Sequence, residues 1–190
     1  MKVVAFNGSP RKDGNTGILI RYVFDKLEEE GIDTELINIA GQINRGCTAC
    51  LKCKENQNQR CVFDDDIVNH CIEKMITADG IIIGSPTYFA SMTAETKALI
   101  DRAGYVAKGN GNMLKRKVGA AVTVARRAGT LNVFQGINNF FFINGMIVPG
   151  SIYWNLGLGR DTGDVDSDAE GIQTMQELGM NIAWLMKKIR

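Results

Sequence analysis

The stretch Asn7 to Thr16, N-G-S-P-R-K-D-G-N-T, lies between a short apolar run, Val3-Val4-Ala5-Phe6, and an apolar-periodic segment from Ile18 to Leu27. That order predicts a strand, a loop and a helix. A loop in this position ends at the free N–H groups and positive dipole end of the helix, where a phosphate can be held. Its residues suit the task. Gly8 and Gly14 permit close backbone approach, Ser9 and Thr16 bring hydroxyls, Asn15 an amide and Arg11 a charged fork. No Gly-Lys-Ser/Thr closes the loop and it is not G-x-G-x-x-G, so neither nucleotide-loop pattern applies. Taken alone, the same residues also make an ordinary polar turn with Asn15 as helix cap.

Working outward, apolar runs alternate with helical periodicities along the whole chain. The first helix is expected to stop at Gly31, and Thr34 to Ile39 forms a second strand. Ile67, Val68, Cys71, Ile72, Met75 and Ile76 recur at spacings of three and four, giving a helix buried along one stripe. Ile81-Ile82-Ile83 reads as a strand covered on both faces. Then come a helix from Ala94 to about Val106, a strand from Lys117 to Val124, a helix from Leu131 to about Asn144, a fifth strand from Met146 to Val148 ended by Pro149, and a closing helix over 166–189. Ser167 and Glu170 suggest a capping box at its start.

Strands alternating with helices imply an α/β fold: a doubly wound, five-stranded parallel sheet with helices on both faces. The flavodoxin-like order 2-1-3-4-5 places a switch point between strands one and three, so a ligand is expected beyond their carboxyl ends. There the first loop meets the loop after strand three, Ser85-Pro86-Thr87-Tyr88-Phe89-Ala90-Ser91. Its aromatic pair, set among small and hydroxyl residues, suits a flat ligand with polar edges. A third loop, Ala125-Arg126-Arg127-Ala128-Gly129-Thr130, reaches the same rim and offers arginines to anionic groups.

These motifs together, V-x-x-F-N-G-S-P-R-x-x-G-N-T at the start, G-S-P-T-Y-F at 84–89, K-A-L-I-D-R at 97–102 and A-R-R-A-G after strand four, resemble the NADPH-dependent FMN reductase family of flavodoxin-like proteins. The resemblance implies FMN with its phosphate on Ser9, Arg11, Asn15 and Thr16 and its ring against Pro86, Thr87, Tyr88, Phe89 and Ser91. Arg126 and Gly129 of the third loop complete the candidate set. It also implies NAD(P)H as a possible donor.

Between strand two and the second helix lies G-C-T-A-C-L-K-C-K-E-N-Q-N-Q-R-C, which spaces Cys47, Cys50, Cys53 and Cys61 as C-x2-C-x2-C-x7-C. Three cysteines at intervals of three can face one centre from a compact loop, and a fourth can close the set, as around a [4Fe-4S] cube. Zinc more often takes two widely separated Cys-x2-Cys pairs, and one redox disulfide would leave two thiols over. With the flavin loops, this insertion at 46–62 resembles the iron-sulfur flavoprotein branch of the family. That branch implies electron exchange between flavin and cluster, ferredoxin as a donor and a homo-oligomer, dimer or tetramer. Cys71 belongs to the apolar stripe of its helix, and His70 falls on the other side, toward solvent.

The 190 residues, 45% hydrophobic, can bury a full core as one FMN-binding domain over 1–190. A formal net charge of +1 supplies no field for nucleic acid or an anionic membrane. No apolar run approaches membrane-span length and the start resembles no leader, so the expectation is a cytoplasmic protein. The Asp161–Asp168 run lacks the glycine and closing glutamate of a calcium loop. The Phe140-Phe141-Phe142-Ile143 run suggests a helix buried on more than one side, and Tyr153 with Trp154 is expected at the ligand rim. No paired carboxylates or nucleophile-histidine set is visible, so the expected chemistry is centred on the flavin, with a small-molecule electron acceptor. A cluster-free flavin, quinone or nitro reductase, and a non-enzymatic flavin redox sensor, are the other functions this pattern allows.

Overall fold

The computed structural model describes residues 1–189. Its strands are β1 (Lys2–Asn7), β2 (Asp33–Asn38), β3 (Gly80–Pro86), β4 (Val118–Ala125) and β5 (Leu156–Leu158). They form one parallel sheet in the order β2-β1-β3-β4-β5. The helices are α1 (Asn15–Glu29), a short α2 (Lys52–Asn56), α3 (Val68–Thr77), α4 (Ala94–Gly109), α5 (Thr130–Ile143) and α6 (Ala169–Ile189). Successive strand side chains point to opposite faces. Val3, Ala5 and Ile82 accordingly pack with α1 and α6, whereas Val4, Phe6, Ile81 and Ile83 pack with α3, α4 and α5. Two cores flank the sheet, which is why its strands read as continuous apolar runs. Among the described residues no helix is long and apolar enough to cross a membrane.

The fifth strand departs from expectation. Ile147 makes a single bridge to Val118, with Gly119 N donating to Ile147 O at 2.9 Å and Ile147 N to Lys117 O at 3.0 Å. Pro149 has no N–H to continue that ladder. The chain bulges outward and rejoins the edge only at Leu156, which pairs with Thr123. The excursion is tied down by Asn155 O, which accepts from both Thr123 N and Thr123 Oγ1. Its practical effect is to carry Gly159 and Arg160 to the carboxyl rim of the sheet.

The start of α6 also differs. Ser167 lies within a 3-10 turn, Asp164–Ser167, and the cap is Asp168: its Oδ1 accepts from Gly171 N at 3.0 Å while Oδ2 accepts from Leu158 N at 2.7 Å. One carboxylate thus caps the helix and anchors β5, a double task a serine hydroxyl one residue earlier cannot perform. The FFFI run divides. Phe140 and Phe141 enter the core, while Phe142 and Ile143 are more than half exposed.

α1 and α6 pack closely because Gly179 has no side chain. A Cβ there would lie 2.6 Å from Val23 O and 2.8 Å from Lys26 Cβ, and the backbone carbonyl cannot rotate away. Gly179→Ala should therefore force the helices apart and destabilise the fold by about 1–3 kcal/mol. The measurement is a urea melt, with the midpoint lowered and the slope unchanged; an unshifted midpoint would refute this account of the packing.

Candidate functional site

The first loop is pinned at the sheet's switch point by the ends of β1 and β3. Gly8 N donates to Gly84 O at 2.8 Å, and Thr93 Oγ1, at the N-cap of α4, donates to Gly8 O at 2.9 Å. Asn7, fully buried, accepts from Ser9 N at 3.0 Å and donates to Asn38 Oδ1 at 2.8 Å. Ser9 Oγ then accepts from Arg11 N at 3.2 Å, closing the turn. Asn15 is not the cap. Gly14 is, with no side chain on the helix N–H groups and no acidic residue in the first turn, so the positive end of α1 is left for an anion.

Asn15 has another task. Its Nδ2 donates to Asp161 O and its Oδ1 accepts from Gly163 N, both at 2.8 Å. Arg11 Nη1 donates to Arg160 O at 3.0 Å. The segment after β5 is thereby drawn over the first loop. The result is a cleft lined by Ser9, Arg11, Asn15 and Thr16 from the first loop, Pro86, Thr87 and Tyr88 from the second, Val124, Ala125 and Arg126 from the third, and Gly159 and Arg160 from the fourth. Within it Thr87 Oγ1 is buried with no hydrogen-bond partner. A buried hydroxyl without a partner is costly, so this atom marks a place for a ligand's polar edge.

Phe89 departs from the expected aromatic wall. Tyr88 and Ser91 exchange backbone hydrogen bonds at 2.8 and 2.9 Å across a tight turn whose central residues, Phe89 and Ala90, have φ of +49° and +58°. Two positive φ values make a type I′ geometry, normally reserved for Asn and Gly. The turn aims Phe89 fully into solvent, leaving Tyr88, half exposed, to line the cleft. Ser91 and Gly129 serve the loops themselves. Gly129, at φ +92°, caps α5, and a Cβ there would lie 3.0 Å from Thr87 Cγ2. Tyr153 and Trp154 pack against each other with centroids 4.7 Å apart and ring planes tilted by 59°, outside the lining of the cleft.

A second cavity lies against α4. Cys47, Cys50, Cys53 and Cys61 all line it, with Phe63, Tyr105, Val106 and Arg102 among the walls. All four thiols are free. Their loop is held in left-handed backbone at Ala49, Leu51, Gln57 and Gln59, φ +47° to +63°, costly conformations for residues with a Cβ. Burial raises the Cys53 pKa, and the charges of Cys61, Cys47 and Cys50 raise it further, so Cys53 lies within electrostatic reach of the other three. They do not close on a point. Among the described residues no group of three or more His, Cys, Asp or Glu is arranged to hold a metal ion.

Arg102 was not among the expected site residues. It is 1% exposed and ion-paired to Asp66, with Nη1 also donating to Arg45 O at 3.4 Å and Nη2 to Phe63 O at 3.0 Å. Burial opposes its charge, but the hydrogen bond to Asp66 and the closeness of Cys61 raise its pKa overall. The sequence signal was an arginine on the inward stripe of α4, three residues from Leu99. Cys71, by contrast, is core, and His70 is exposed.

The profile of the NADPH-dependent FMN reductase family matches residues 1–161. An iron-sulfur flavoprotein of Methanocaldococcus jannaschii is 40% identical over 197 residues, covering all of both chains. One from Methanosarcina thermophila is 33% identical over 198 residues, covering all of this chain and 97% of the other. Among solved structures, a WrbA-like flavodoxin from Agrobacterium tumefaciens superposes with a TM-score of 0.69 at 16% identity, covering all of this chain and 98% of that one, which is a likeness of fold.

Burial pushes the Cys71 thiol up to about 12. Iodoacetamide at about pH 8 should leave Cys71 unmodified in the native protein and label it once urea unfolds the chain, as read by peptide mass spectrometry. Because the folded pKa is the raised one, the stability tied to this thiol is complete below about pH 8.5. It is lost as pH rises from there through about 12.

Proposed function

Since the chain belongs to the NADPH-dependent FMN reductase family and is thereby a flavin-dependent oxidoreductase, we propose that it passes electrons from ferredoxin or NAD(P)H to a small acceptor through FMN and a [4Fe-4S] cluster. The observation that carries the reading is the four-loop cleft at the switch point, with an unfilled helix N-terminus at one side and the partnerless Thr87 hydroxyl within it.

FMN supplies, when bound, a carrier that exchanges electrons singly or in pairs. The residues of the cleft divide the work of holding it. The free N–H groups that open α1, the Ser9 and Thr16 hydroxyls and the Arg11 guanidinium suit a phosphate dianion. Asn15 acts through its amide, which fixes the 161–163 segment, and so positions Arg160 beside Arg11. Pro86, Thr87 and Tyr88 give a half-apolar wall with one hydroxyl for a ring edge. Arg126 is exposed at the mouth, where an anionic donor or acceptor would pass. Ser91 and Gly129 support this wall from behind the turn, and Phe89 projects from the turn into solvent.

A cluster would add a one-electron carrier. The chemistry of the donor set supports it: four free cysteines around one cavity, with no carboxylate or histidine in the lining. Around zinc, sulfurs at ~2.3 Å from the metal lie about 3.8 Å from one another. Thiols spread round a cavity suit a cube better. Both full-length relatives described above bear the name iron-sulfur flavoprotein, which supports the same assignment. Large apolar side chains left exposed, Phe89, Phe142, Ile143, Tyr153, Trp154 and Trp184, support a homo-oligomer of two or four copies.

Protein purified without oxygen should carry FMN, iron and acid-labile sulfide, and changing Cys47, Cys50, Cys53 or Cys61 to Ser should lower iron content while FMN stays bound. Zinc, or no metal, in that preparation would replace this reading by the cluster-free reductase, which predicts rapid NAD(P)H turnover. Arg11→Ala and Thr16→Ala each remove a hydrogen bond to a charged group, worth roughly 1.5–3 kcal/mol. Each should weaken FMN binding at least about tenfold by fluorescence titration, and undiminished affinity in both would move the phosphate elsewhere.

A further inference from the structure

Arg102 is an uneconomical residue as the cavity stands. Its side chain and that of Asp66 are both without solvent exposure. Taking two charges out of water costs several kcal/mol per ion, and mutual attraction alone often fails to recover it. The hydrogen bonds are also incomplete. Nη1 and Nη2 have acceptors, but Nε is buried with none. The side chain forms part of the cysteine cavity's wall and is the one charged residue in that lining, with Cys61 adjacent. A core that needed only to be filled would do better with Met or Leu here.

We propose that Arg102 is a positioning residue for an iron-sulfur cluster held by the four cysteines: its Nε–H is the donor available to sulfur at the Cys61 corner, and its fixed positive charge makes the cluster easier to reduce. This rests on the cluster reading above. A [4Fe-4S] core with four thiolates is a dianion when oxidised and a trianion after gaining one electron. The electron comes from an external one-electron reductant, and no proton or ligand is exchanged. A cation in a water-poor wall stabilises the trianion more than the dianion, since Coulomb energies scale with charge and grow as the dielectric falls. Hydrogen bonds to sulfur and net charge are among the factors that set cluster potentials.

Asp66 makes the arrangement testable in both directions. Its carboxylate offsets part of the Arg102 charge, and its oxygens also accept from Asn44 N and Val68 N, both at 3.1 Å. Asp66→Asn keeps the shape and uncovers the cation. The pair Arg102→Met with Asp66→Asn removes both charges together, avoiding the unpaired buried carboxylate that Arg102→Met alone would leave. The other charged groups near this corner are Arg45, ion-paired to Asp65 and stacked 4.8 Å over Phe63, and Arg60, paired to Asp64 and Glu73. Both are partly exposed and unchanged in every variant.

The experiment is a dithionite titration of anaerobically purified holoprotein, following the paramagnetic signal of the reduced cluster, with iron content and bound FMN measured on each sample as checks of loading and fold. Asp66→Asn should raise the midpoint potential, and the double variant should lower it, each by at least about tenfold in the reduction equilibrium, which is ~59 mV for one electron. Arg102→Lys, which keeps the charge and loses the fork, should lie between wild type and the double variant. Potentials that agree across loaded variants would overturn the role of Arg102 while leaving the cluster in place. A wild type without iron would overturn the cluster reading itself, and this inference with it.

Discussion

One backbone hydrogen bond, Gly8 N to Gly84 O, fixes the geometry on which the cleft depends. It joins the exits of β1 and β3 where the direction of sheet growth reverses, and it is possible because neither residue has a Cβ. At Gly8 a Cβ would lie 1.9 Å from Thr96 Oγ1, and at Gly84 it would lie 2.7 Å from Ile20 Cδ1. The two loops can therefore approach closely enough for Thr93 to bond the Gly8 carbonyl and cap α4 in the same place. The first loop, the second loop and the start of α4 share one anchor.

α4 carries that constraint across the molecule. Its N-cap sits beside the cleft, and nine residues further on Arg102 enters the wall of the cysteine cavity, a rise of roughly 14 Å at 1.5 Å per residue. The two cavities are built by opposite means. The cleft uses regular strand ends, whose loops converge because a parallel sheet sends all its carboxyl ends to one edge. The cysteine cavity uses a loop with little regular structure, in which left-handed residues turn the thiols inward and a helix of five residues places Cys53. Backbone strain of that kind persists only where the surroundings enforce it. Here the anchors are Asn110, which donates to Cys53 O and accepts from Gln59 N, and Asn69, which both donates to Cys61 O and accepts from Cys61 N.

Much of the polar side-chain bonding around the cleft goes into shape. Asn15, Thr93 and Asp168 bond backbone groups distant in sequence or at a helix end, and Asn7 bonds the turn that follows it and the Asn38 side chain of β2. They spend their polar groups on position. Each cavity is also lined by a residue with a buried, unpartnered polar atom, Thr87 Oγ1 in one and Arg102 Nε in the other.

The sequence by itself determined the α/β class, the sheet order, the loop that opens α1 and the cysteine spacing, because each is written in local periodicity or in residues a few positions apart. Val3 to Phe6 reads as a strand and Ile81 to Ile83 as one covered on both faces, and C-x2-C-x2-C is short enough to be read directly. Only the tertiary structure decided the true β5, since the apolar run at Met146–Val148 is a good strand in isolation and only Pro149 beside the edge of β4 breaks it. It alone turned Phe89 outward, through two positive φ values that no propensity assigns to Phe and Ala. It brought Gly159, Arg160 and Arg102 to their cavities, because bonds such as Arg11 to Arg160 and Arg102 to Asp66 join residues 149 and 36 positions apart. Contacts at such separations exist only once the chain is folded, because closing loops of that length costs entropy that the packed sheet and helices must first offset.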